Sequence, residues 1–169
     1  MFQQVNQETS MSLNLTAKLS ELPKVSQFVP AAVTQLAKAR ADIDVELVAG
    51  DLTLAIHEVC ANMIDHAYGA EDEGPILVTL LLDAAQRQIV VEVVDYGSGY
   101  NPQQIDWPPA QCWKAVGECG DYTFVLGDVP EQEFEAEHGR GIYLLTLLLD
   151  SVTYRPQANR NSWALVKNF

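Results

Sequence analysis

Basic residues are scarce in this chain. Ten Lys and Arg stand against 23 Asp and Glu, for a net charge of −13. A protein that neutralises phosphates along a nucleic acid or an anionic bilayer needs the opposite balance, so neither is expected as the main partner. A small phosphate ligand stays open, because backbone N–H groups and Mg²⁺ can hold one without a basic surface. Long apolar runs are also missing. The longest, Ile142 to Leu149, is interrupted by Thr146 and falls well short of the ~20 residues of a membrane span. Residues 1–12 lack the basic-then-apolar pattern of a signal peptide and read as a flexible lead-in. Cysteine is sparse. Cys60, Cys112 and Cys119 make an odd count without a leader, which favours reduced thiols in the cytoplasm. Cys112 and Cys119 are too far apart for a C-x-x-C site, and no histidine cluster lies near them.

What remains is an ordinary globular composition, 48% hydrophobic and 20% charged over 169 residues, enough for one domain over 13–169 with a real core. Leu13 to Ala17 alternates apolar and polar and predicts a first strand. From Glu21 to Ala39 the residues Val25, Phe28, Val29, Ala32, Val33 and Leu36 recur at helical spacing. Pro23 suits the first turn of that helix, and Pro30 is expected to kink or break it. A second helix is predicted from Val45 or Asp51 to Ala67. Ile76 to Leu82 and Ile89 to Asp95 predict an antiparallel hairpin. Residues 100–138 break the pattern with Pro102, Pro108, Pro109, Pro130, Trp107, Trp113 and the glutamates 131, 133, 135 and 137. So long a loop inside a compact domain is usually functional. Gly139 to Leu149 predicts a third helix, and Ser151 to Arg155 with Ser162 to Asn168 a closing hairpin. The order β-α-α-β-β-loop-α-β-β predicts an α/β fold, a two-layer sandwich of a mixed sheet covered on one face by helices.

Three short segments carry chemistry. Glu58, Asn62 and His66 recur at steps of four on the second helix, in a stripe roughly 100° from the apolar stripe Leu52, Ile56, Val59 and Met63. The Asn62 amide oxygen is a suitable hard ligand for Mg²⁺. Glu58, one turn earlier, could take a proton from an attacking hydroxyl. His66 could reach a phosphate or cap the helix end. His57 points off this stripe. The second segment, Asp95-Tyr96-Gly97-Ser98-Gly99, ends a strand. A carboxylate there can accept from an amino group such as that of adenine, while Gly97 and Gly99 let the backbone turn and approach a planar ligand. In the third, Gly139-Arg140-Gly141, the glycines free N–H groups at a helix N-terminus for an anion, and Arg140 adds a phosphate contact. Each segment has a bland alternative: a solvated helix face, an Asp-capped turn, a helix start. Together they point to a nucleotide held between a polar helix face and two glycine loops.

With those segments in that order, the chain resembles the GHKL ATPase superfamily, which includes gyrase and histidine kinases. Glu58-x-x-x-Asn62-x-x-x-His66 is similar to its N box, Asp95-x-Gly97-x-Gly99 to its G1 box and Gly139-x-Gly141 to its G2 box. The likeness runs from about Leu13 to Lys167 and is greatest to bacterial anti-sigma factor serine/threonine kinases. It implies a Bergerat-type sandwich binding Mg-ATP: Asn62 on Mg²⁺, Glu58 as catalytic base, Asp95 on the adenine amino group. Gly97 and Gly99 would shape the adenine pocket, Gly139 and Gly141 would flank the triphosphate, and Ser162 stands where the family often has an adenine-binding Thr. It also implies a cytoplasmic homodimer that binds a sigma factor and phosphorylates a serine or threonine of an anti-anti-sigma (STAS) protein. Two features depart from the family pattern. The segment 100–138, which would be the ATP lid, is long, and a typical Gly-Thr pair reads Asn161-Ser162. A non-catalytic ATP-binding regulator that sequesters a partner is the alternative. An ATP-binding half of a histidine kinase is disfavoured, because no phosphoacceptor helix pair precedes the domain.

Overall fold

Strand alternation sets the architecture. The computed structural model describes residues 10–38, 40–68, 73–99, 101–102, 110–117, 122–128 and 140–169. Its strands are β1 (Ser10–Thr16), β2 (Pro75–Asp83), β3 (Gln88–Asp95), β4 (Trp113–Val116), β5 (Thr123–Leu126), β6 (Ser151–Arg155) and β7 (Asn161–Asn168). They form one sheet in the order β1-β2-β3-β7-β6-β5-β4. Opposite residues in a ladder share a face, so the register aligns Val78, Val93, Trp163, Tyr154 and Phe124 in one buried row across five strands. The Tyr154 and Trp163 rings in that row lie 4.7 Å apart, and Trp113 meets Trp163 edge-on at 6.1 Å.

Helices α1 (Pro23–Leu36), α2 (Val45–Asn62) and α3 (Arg140–Leu148) supply the second layer. Asp44 caps α2, its carboxylate accepting from Leu47 N. The stripe Leu52, Ile56, Val59 and Met63 is buried as its spacing predicts. Full burial of one such side chain contributes about 1.5–3 kcal/mol. From Val45 to Tyr68 the chain has the length and hydropathy of a membrane span. Here that hydropathy goes into the core of the sandwich. Helix α1 runs through Pro30 without ending; Thr34 Oγ1 donates to the Pro30 carbonyl, and Ser26, whose carbonyl loses the Pro30 donor, bonds His57 through its side chain at 3.0 Å.

The two-layer α/β sandwich is the expected one, with two differences. Every pairing among the described strands is antiparallel rather than mixed: the hairpins reverse direction, and the helical connections β1–β2 and β5–β6 also bring the chain back antiparallel. The segment expected as a lid over 100–138 contains β4 and β5, which extend the sheet beyond β6. Lys-Ala-Val and Thr-Phe-Val-Leu are short β-runs that the surrounding Pro and Gly hide from a periodicity reading. Strand β1 begins at Ser10, three residues earlier than read.

Candidate functional site

The last rung of the β3–β7 ladder sets Asp95 directly opposite Asn161. Both face the helix layer, and both are buried, at 2% and 1% exposure. Asp95 Oδ1 accepts from Asn161 Nδ2 at 2.9 Å and from Gly97 N at 3.0 Å. Asn161 Nδ2 also donates to the Gly97 carbonyl at 3.2 Å. Asp95 Oδ2 takes no hydrogen bond among the described residues. Burial pushes the Asp95 carboxyl above its ordinary range, and the two donors only partly offset that. A carboxylate kept here at such cost to itself is a functional-site signal.

The glycine turn after Asp95 is stitched to the end of α2. That helix continues into a π-helical turn, Met63–Tyr68, a feature that often marks functional sites. Ser98 N donates to Ala67 O at 2.7 Å, and Tyr96 N to the Tyr68 hydroxyl at 2.8 Å. The same hydroxyl donates to Pro75 O at 2.7 Å. Gly97 is required by this approach, since a Cβ there would stand 2.4 Å from the Ala67 carbonyl oxygen.

On the other side of the site, α3 starts against α2. A Cβ on Gly141 would meet Glu58 Oε2 at 2.6 Å and Asn62 Nδ2 at 3.5 Å. The backbone at the start of α3 therefore lies on the carboxylate and amide that the sequence singles out. Among the described residues no three His, Cys, Asp or Glu side chains gather to hold a metal. Glu58 and Asn62 each carry a side-chain oxygen beside the start of α3, and a hard carboxylate or amide oxygen is of the type Mg²⁺ takes when a nucleotide supplies its other ligands.

The structure thus brings Glu58, Asn62 and Gly141 together, and Asp95, Gly97 and Gly99 together. His66 lies in the π-turn and is exposed. Gly139 and the Arg140 side chain lie outside the described residues. Ser162 pairs with Val94 and Arg155, on the sheet face away from the helices. Asn161, one residue earlier, is the residue opposite Asp95, because alternation reverses the face at each step. The hydrogen bonds of Asn161 to Asp95 and of Tyr68 to Tyr96 N were not read from the sequence, since both depend on strand and helix ends meeting in space.

A buried carboxylate beside a glycine turn, and a carboxylate and amide lying against the start of a glycine-opened helix, are the features that the fold assembles. Residues 15–167 match the histidine kinase-like ATPase domain family, and the chain belongs to it. One relative is the serine-protein kinase RsbW of Bacillus velezensis, 28% identical over 104 residues, 60% of this chain and 54% of that protein. The match thus spans about half the length of that relative.

Proposed function

We propose that the protein is an ATP-dependent serine/threonine-protein kinase and anti-sigma regulatory factor, acting in the cytoplasm on an anti-anti-sigma (STAS) partner. The observation that carries this reading is Glu58, a carboxylate held beside Asn62 against the first turn of α3; a module that only binds ATP has no need of a base there. Membership of the family supports the ATP, and the RsbW relative supports the protein substrate.

In this reading Asp95 Oδ2 accepts from the adenine amino group, and the turn through Gly97 lies along the base. Asn62 would hold Mg²⁺, which would neutralise charge on the triphosphate. The start of α3 directs backbone N–H groups and the positive helix end at the phosphates. Glu58 accepts the proton of the partner's hydroxyl as its oxygen bonds to the γ-phosphorus. The bond to the β,γ-bridging oxygen breaks and ADP leaves. A sigma factor as second partner and a homodimer belong to the same proposal.

The test is incubation with Mg-ATP and a STAS protein, followed by mapping of the phosphate. Phosphoserine or phosphothreonine on the partner is expected, with Glu58→Gln lowering phosphotransfer by about 10²–10⁴-fold while ATP still binds. Full transfer by Glu58→Gln would remove the base. Tight ATP-dependent binding of the partner without any transfer would establish the sequestering regulator instead.

A further inference from the structure

Helix α3 is nine residues long, too short to hold its place by itself, so packing decides where it lies. At its first turn Gly141 rests on Glu58 and Asn62, but a glycine gives α3 no side chain to key into α2 there. The other end is pinned. Lys167, on β7, reaches both helices: its Nζ donates to the Leu148 carbonyl at 2.8 Å and pairs with Asp51 Oδ2 of α2 at 2.7 Å. Both side chains are under a fifth exposed, less than either member of the other ion pairs among the described residues. The Leu148 carbonyl is among the last of α3, which lack acceptor partners within the helix, and a cation suits it there. That bond alone is a helix cap. The Asp51 arm does something a cap does not need, since it ties the end of α3 to α2.

Spacing gives that tie a consequence. Asp51 stands seven residues before Glu58 on α2, and Leu148 seven after Gly141 on α3. Seven residues return to within about 20° of the same helix face, about 10 Å further along the axis. The two helices therefore run antiparallel with two matched contacts, Gly141 on Glu58 and Leu148 on Asp51 through Lys167. We propose that Asp51 and Lys167 are positioning residues for phosphotransfer: their ion pair sets where α3 stands along α2, and so holds the start of α3 against Glu58 and Asn62. This rests on the kinase reading above. Asp150 does not replace the pair. Its N–H donates to Val166 O at 2.9 Å and its carboxylate accepts from Asn168 N at 2.8 Å, bonds that fix the end of α3 to β7 and not to α2.

The discriminating variant is Asp51→Ala in the full chain, which cuts the tie to α2 and leaves Lys167 its bond to Leu148. Phosphotransfer from Mg-ATP to a STAS protein is followed at varied ATP, beside a urea titration of each variant. Turnover is expected to fall about tenfold or more, as a small misplacement of reacting groups does. KM for ATP should move less than about threefold, because Asp95 lies at the far end of the β3–β7 ladder from Lys167. Asp51→Glu, which keeps a carboxylate for Lys167, should restore turnover to within about threefold of wild type. Gly141→Ala disturbs the same contact, so combining it with Asp51→Ala should cost less than the product of the two single losses, whereas independent sites multiply. Unchanged turnover in Asp51→Ala, whatever its stability, would make the pair a helix cap and overturn the inference, leaving the kinase reading standing. So would losses that multiply. Absence of transfer by wild type would overturn both. If Asp51→Ala fails to fold, Asp51→Asn, which keeps the shape and loses the charge, decides by the same measures.

Discussion

The two ends of the β3–β7 pair are built from the same kinds of residue and treat them in opposite ways. At the Gln88–Asn168 end an exposed cluster pairs its charges. Asp42 takes both nitrogens offered by Arg40, at 2.8 and 2.9 Å, and Arg87 at 2.7 Å. Arg87 also donates to the Phe169 carbonyl, and both guanidinium groups lie over the Phe169 ring at 5.3 and 5.5 Å. At the other end Asp95 is buried with an amide instead of a cation, and the Asn161 Oδ1 acceptor is left over. The first end closes the fold. The second holds polar groups that the fold alone does not satisfy, which is the usual cost of a site prepared for a ligand.

Asp95→Asn breaks the comparison most sharply. The new amide keeps an oxygen for Asn161 and Gly97 but presents N–H where the ligand amino group needs an acceptor. ATP affinity should fall by about 10²-fold or more, a charge-assisted bond turned into a clash of donors; unchanged calorimetric affinity would sink the site. The free protein should respond in the other direction. Burial raises the Asp95 carboxyl, so its proton is held more tightly folded than unfolded. Stability from this group is present below the ordinary carboxylate pKa and is lost as pH rises through the folded one. Ligand-free Asp95→Asn should therefore be as stable as wild type or more so at pH 7, with the gain shrinking in acid. Urea titration at two pH values reads this directly.

Gly141→Ala comes next and separates chemistry from binding. The added methyl meets the far end of Glu58, a flexible side chain, before it meets any backbone. Folding should survive, ATP should bind within a few-fold, and the carboxylate should be pushed aside. A misplacement of about 1 Å can cost 10²-fold in turnover. Normal phosphotransfer by this variant would show that Glu58 does not act from its position beside α3.

Much of this was legible in the sequence, and the failures have physical causes. The buried stripe of α2, the β2–β3 hairpin and the closing hairpin follow from periods of 3.6 and 2, which hold as long as the backbone is regular. The π-turn Met63–Tyr68, which carries His66, was not read, because no side-chain pattern announces one. Ser162 was named from family letter order; the register, a property of pairing rather than of either strand, sets Asn161 and not Ser162 opposite Asp95. Strands β4 and β5 escaped because four residues are too few to show alternation. The pairing of Glu58 and Asn62 with Gly141 joins residues about 80 positions apart. Sequence order alone could propose that contact, but the fold had to supply it.

The smallest effect belongs to the closed end, and its sign is the useful part. The Arg40 guanidinium, with Arg87 beside it, holds the Asp42 carboxyl well below the usual carboxylate range. A depressed carboxyl contributes stability above its unfolded pKa and loses it as pH falls through the folded one. Asp42→Asn should therefore lower Tm at pH 7 by at most about 3 °C, less in high salt because these groups are exposed. The deficit should vanish in strong acid, and ATP affinity should not move. Asp95→Asn and Asp42→Asn make the same chemical change at opposite ends of one strand pair. They are expected to differ in sign on stability at neutral pH, and only the first should touch the nucleotide. A loss of stability from both would mean that Asp95 is held as structure, like Asp42, and not in reserve for a ligand.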